Sequence, residues 1–118
     1  MWIQLGSVSM FFGVALGAFA AHALKGKLSA DLFNVFEVGV RYQIYHAIGL
    51  FVVGWLLSVR PSTLTHVAGW FFFVGTLFFS GSLYGYSLTS ARWLVFVTPI
   101  GGMMFLAGWA CLFVSASR

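Results

Sequence analysis

The sequence predicts an all-α fold: an integral membrane four-helix bundle, with a short amphipathic interfacial helix between its first two crossings. Three observations lead there. The chain holds only six basic and two acidic side chains, and they cut it into four uncharged stretches: Met1 to Leu24, Tyr42 to Val59, Pro61 to Ala91 and Trp93 to Ser117. Each stretch approaches or exceeds the about 20 residues that an α-helix needs to cross about 30 Å of hydrocarbon. Hydrophobic residues make up 61% of the chain and charged ones 7%, whereas about a quarter of a soluble domain is charged. The run WFFFVGTLFF from Trp70 to Phe79 lacks the alternation of a transmembrane β-strand. Crossings at about 2–23, 42–59, 63–86 and 93–114 consume the chain, so a single transmembrane domain over residues 1–118 is expected.

The first crossing spans about Trp2 to Ala23. Its start lacks the basic region of a cleaved signal peptide and is expected to remain as a helix. Ser9, Gly13, Gly17 and Ala21 recur every four residues, a ridge of small side chains suited to close helix packing or to a ligand-facing groove. In KGKLSADLFNVFEVGVR, Gly26 marks a turn, Ser29 can cap a helix and Asp31 suits its positive end. Leu32, Phe33, Phe36 and Val40 mark an apolar face, and Asn34, Glu37 and Arg41 a polar one. That pattern predicts the interfacial helix, with Gly39 as a bend into the second crossing.

Arg60-Pro61-Ser62 ends the second crossing and opens the third, Thr63 to Tyr86. There Thr76, Ser80, Tyr84 and Ser87 lie on one side, with Gly81 and Gly85 close by. Such hydroxyls join helices or line a small cavity. The fourth crossing begins unevenly, because Pro99 has no amide donor and Gly101-Gly102 weakens the next turn. A regular helix is expected only from Pro99, leaving Trp93 to Thr98 interfacial or partly re-entrant, with Thr98 near the first loop.

Lys25, Lys27, Arg41 and Arg92 fall at one end of this layout, and Arg60 and Arg118 at the other. The positive-inside rule therefore places the first and third loops in the cytoplasm and both termini outside, in a bacterial cytoplasmic (inner) membrane. The net charge of +4 is scattered over helix ends, so membrane lipids are the expected partners and nucleic acid is not. Beyond lipid, further copies of the chain or a larger membrane complex are expected neighbours. Cys111 is alone in an apolar segment and reads as a structural thiol.

Chemistry has one place to gather. His22 closes the first crossing, His46 lies one turn into the second, and Glu37, Arg41, Tyr42 and Thr98 share their depth in this layout. Such a set suits a structural hydrogen-bond network, a lipid or small-ligand site, or a proton relay or metal site. His66 belongs to the other end and reads as interfacial. A haem would need two facing histidines and a groove around them. No catalytic residue is assigned: HExxH and GxSxG motifs and paired intramembrane carboxylates are missing, and nothing in the spacing pairs Ser80 with His46. No metal or cofactor is expected.

Four segments, GVALGAFAAHAL (Gly13 to Leu24), RYQIYHAIGL (Arg41 to Leu50), FSGSLYGYSLT (Phe79 to Thr89) and TPIGGMMFLAGW (Thr98 to Trp109), resemble the YgdD-like family of small bacterial inner-membrane proteins with eukaryotic relatives. The family commonly has glycine where Ala20 stands. The resemblance implies a four-crossing membrane protein and singles out His22, Arg41, Gln43, His46, Ser80, Ser82, Thr98 and Pro99. It carries no catalytic assignment, since the family's molecular role is unknown. The sequence as a whole is read as a non-enzymatic interaction or accessory component of the membrane, with an oligomeric small-molecule or ion transporter as the rival. A lipid-modifying enzyme comes third and requires a polar pocket open sideways to the bilayer.

Overall fold

Apolar runs long enough to span a bilayer become four helices in the computed structural model, which describes all 118 residues. They are α1 (Trp2–Phe19), α2 (Ala30–Val59), α3 (Thr63–Thr89) and α4 (Thr98–Ser117). A π-helical turn, Ala20–Leu24, extends α1, and a 3-10 turn, Arg92–Phe96, precedes α4. All four are long and apolar enough to cross a membrane.

Local chemistry sets their ends. Ser29 accepts a hydrogen bond from the Leu32 amide at 3.2 Å to start α2. Ser90 enters the left-handed region with φ 59° to stop α3. Pro99 lies in the first turn of α4, where its missing amide costs nothing, so the regular helix begins at Thr98. The residues before it form the 3-10 turn, with Trp93 and Phe96 exposed.

The separate interfacial helix does not exist. Its residues are the opening turns of α2, which runs unbroken for 30 residues. Gly39, the expected bend, is buried in regular helix, and a Cβ there would lie 2.8 Å from the Tyr84 ring. The glycine serves close approach to α3 and leaves the axis uninterrupted.

The helices run antiparallel in the order α1, α2, α3, α4, each packed on the next, and α1 and α4 form the outer edges. The bundle is consequently flattened, 48 × 26 × 18 Å. Small residues seven apart make the seams: Gly6, Gly13 and Ala20 on α1, Ala47 and Gly54 on α2, Ala68, Gly75 and Ser82 on α3, and Gly101, Gly108 and Ser115 on α4. This repeat belongs to left-handed crossings near about 20°. It also corrects the ridge expected on α1. A four-residue step drifts about 40° around a helix with 3.6 residues per turn, while a seven-residue step drifts only about 20°. Gly13 and Gly17 accordingly face Ile44 and Val40, but Ala21 is exposed and Ala20 is fully buried in its place.

At the end carrying the α2–α3 connection, the Arg60 guanidinium donates to the carbonyl oxygens of Ser115, Ala116 and Arg118. It thereby caps the negative end of α4. Thr65 and Ser115 share a hydrogen bond beside it. The Trp2 indole donates to His66 Nδ1 at 3.0 Å, tying α1 to α3 there.

Candidate functional site

Two polar side chains three residues apart on α2, Gln43 and His46, organise the bundle's interior. Both are buried, at 6% and 4% exposure, and hydrocarbon gives such groups no water to fall back on. Each is therefore satisfied by its neighbours.

Gln43 shares its seven-residue row with Phe36 and Leu50, which carries its amide between α1 and α3. Its Nε2 donates to the Ser9 carbonyl at 2.8 Å, and its Oε1 accepts from the Tyr84 hydroxyl at 2.6 Å. One side chain thus bridges three helices. Close by, the Ser80 hydroxyl donates to the Gly39 carbonyl at 2.7 Å. Above these groups lies a cavity of about 260 Å3, walled by Leu5, Val8, Ser9 and Phe12 of α1 and by Phe73, Thr76, Leu77, Ser80, Gly81 and Tyr84 of α3, with Gln43 of α2 as its floor. Val8, Phe12 and Leu77 on its rim are exposed, so it opens sideways, toward lipid.

His46 faces α3 and α4 instead. Its ring stacks on Phe105 with centroids 3.5 Å apart and planes 7° from parallel. Nδ1 bonds the Tyr42 carbonyl at 2.7 Å, and the Trp109 indole donates to Nε2 at 2.9 Å. A carbonyl can only accept and an indole N–H only donate, so the proton sits on Nδ1 and the imidazole is neutral. Both ring nitrogens are occupied, which leaves none to ligate an iron or relay a proton.

The six candidates grouped by depth therefore divide. His46 and Tyr42 are together, with the Tyr42 ring 4.9 Å from Phe79. Thr98 bonds Ser82 and fastens the start of α4 to α3. His22 is exposed on the π-helical turn, Arg41 is exposed and Glu37 half-buried on α2, and none of the three joins the His46 network. Ser80 and His46 are each bonded elsewhere and form no nucleophile pair. Of the second group, Thr76, Ser80, Gly81 and Tyr84 line the cavity. Gly13 and Gly17 lie in the α1–α2 seam, and Gly85 sits against Leu94.

Two participants stood outside the candidate residues, Ser9 as a cavity residue and Trp109, and a third, Gln43, was singled out by the family resemblance alone. Each had a signal. Gln43 is an uncharged polar residue inside a row of apolar ones, and Trp109 is a tryptophan in mid-helix, where its N–H needs an internal acceptor. Ser9 stood on the α1 ridge.

Gln43→Leu is expected to destabilise the protein by about 1–3 kcal/mol, because it removes two interhelical bonds and leaves the Tyr84 hydroxyl unpaired. Unfolding in mixed micelles, run as a double-mutant cycle with Tyr84→Phe, checks the pairing. Strictly additive losses would show that the two side chains do not cooperate.

The family model described as "Protein of unknown function (DUF423)" matches residues 16–102. A UPF0382 membrane protein of Staphylococcus haemolyticus is 46% identical over 118 residues, covering 100% of this chain and 96% of its own. The UPF0382 membrane protein YwdK of Bacillus subtilis is 44% identical over 121 residues, covering 100% and 97%. The UPF0382 inner membrane protein YgdD of Escherichia coli is 39% identical over 112 residues, covering 95% and 86%. No solved structure matches.

Proposed function

Since the chain belongs to the DUF423 family and is a multi-pass membrane protein, we propose that it works as a non-enzymatic interaction or accessory component of the bacterial cytoplasmic membrane. One observation carries this reading: His46 is locked among aromatic rings and shares no cavity with Thr76 and Ser80. A translocation path through one copy needs a continuous polar route, and a relay needs a titratable group with a free position. Both of His46's nitrogens are committed to helix packing.

The end of the bundle that carries Lys25, Lys27, Arg92 and the opening turns of α2 with Arg41 faces the cytoplasm in this reading, and both termini lie outside. A reporter fused after Arg118 tests the orientation and should be active only on the outer side. For the accessory role, the purified protein in vesicles is expected to pass protons, potassium and small solutes no faster than empty vesicles, and to copurify from its own membranes with a stoichiometric partner. Flux that rises with protein content and with oligomer formation overturns that reading in favour of the oligomeric transporter.

A further inference from the structure

Most serine and threonine hydroxyls of these helices share one habit. Ser7, Thr76, Ser87 and Ser117 donate to carbonyls of their own helices, while Thr65 and Ser80 bond to a neighbouring helix. Ser9 breaks it. Only its carbonyl is engaged, by Gln43, and its half-buried hydroxyl has no partner although it stands about 10 Å along α1 from the helix start. Thr63 and Ser90 share this lack, but they stand at the two ends of α3, at the water boundary. An unpaired hydroxyl in hydrocarbon is unfavourable. This one lines the cavity between α1 and α3.

The rest of that lining defines what would complement it. Tyr84, Ser80 and Thr76 already donate their protons to Gln43, Gly39 and Phe72, so toward the cavity they offer lone pairs. Gln43 retains one amide proton and Ser9 a rotatable hydroxyl. No charged side chain contributes: Lys25, Lys27 and Arg41 all lie outside the lining. The opening faces the bilayer, and about 260 Å3 is below the about 300–1,000 Å3 of a site that encloses a drug-sized molecule. It suits a head and its first carbons, with chains lying along the outer surface.

We propose that this cavity binds the head of an uncharged, hydroxyl-bearing lipid, whose hydroxyl donates to the Ser80 and Tyr84 oxygens while Ser9 and Gln43 donate to the ligand's oxygen. A phosphate-bearing lipid lacks a cation here to pair with. The proposal stands apart from the accessory reading, because occupancy of the cavity depends on neither flux nor a protein partner. Gly81 supplies the means to test it, since a Cβ placed there meets nothing within 4 Å. Gly81 lines the cavity, so a larger side chain at this open position is placed at its edge on α3.

The full chain is placed in vesicles of phosphatidylethanolamine with a diazirine-bearing diacylglycerol, a diazirine-bearing long-chain alcohol or a diazirine-bearing phosphatidylglycerol, and the labelled peptides are mapped by mass spectrometry. Labelling by a neutral probe should concentrate on residues 5–12 and 73–84. Gly81→Phe should lower it by about tenfold or more, and Ser9→Ala by about threefold, the change equivalent to one hydrogen bond in lipid. Stronger labelling by diacylglycerol than by the alcohol identifies a glyceride, and equal labelling identifies the hydroxyl alone. Even labelling over the outer faces of α1 and α4, or equal use of the cavity by phosphatidylglycerol, overturns the proposal. Should Gly81→Phe fail to fold, Ser9→Ala decides alone, because it deletes only an unpartnered hydroxyl; unchanged labelling then overturns the proposal.

Discussion

Gly101→Ala is expected to destabilise the protein by about 3 kcal/mol, the upper end of what overpacking usually costs. The added carbon would lie within 3 Å of the Phe79 Cα and Cβ and closer still to its amide nitrogen. Side chains can rotate aside, but a helix backbone cannot. The only relief is for α3 and α4 to separate along a seam that also holds the Gly75–Phe105 and Gly108–Phe72 contacts. Gly81→Ala is the matched control. Its Cβ meets nothing, so it should stabilise by about 0.5–1 kcal/mol through the lower entropy of the unfolded chain. Equilibrium unfolding in mixed micelles measures both, and equal losses at the two positions would refute the account of the seam.

His46→Ala should cost about 3 kcal/mol as well, by a different route. It leaves a void between Phe72 and Phe105 and strips the Trp109 N–H of its acceptor. His22→Ala, on the exposed π-helical turn, should stay within about 0.5 kcal/mol. If the two histidines instead worked as one site, the variants would lose stability together and their effects would couple. The same unfolding experiment, with the double variant included, separates the cases.

Much of the architecture was legible because hydrocarbon imposes simple rules. Eight charges cannot rest in its core, so the stretches between them had to become the crossings, and Pro99 had to begin a helix instead of continuing one. The interfacial helix was misread because amphipathic patterning describes the surroundings of a segment and says nothing about where a helix is interrupted. A half-polar face from Asn34 to Arg41 is equally compatible with the opening turns of a longer α2, whose Phe36 and Val40 pack on Ala20 and Leu24. The site was less legible for a geometric reason. Depth along the helices was readable from the charges, but azimuth was not, and His22 and His46 differ in azimuth. The seven-residue recurrence of glycine, alanine and serine contained that information: it places Gly13 and Ala20 on the α2-facing side of α1, whereas spacing by four blurs the direction. Gln43 was singled out by the family resemblance and not by charge or spacing, even though one neutral amide can join three helices.

The capping of α4 by Arg60 carries a consequence for biosynthesis. The carbonyls it meets lie 55 to 58 residues further along the chain. At about 5–20 residues per second, a ribosome takes roughly 3–12 s to supply them. Throughout that interval the guanidinium remains without these acceptors, and the α3 seam of Gly75 and Ser82 has no fourth helix to cover it. Three helices cannot finish this end of the molecule. The nascent chain must wait in the membrane, with one cation unclaimed and one groove vacant, until translation delivers the helix that occupies both.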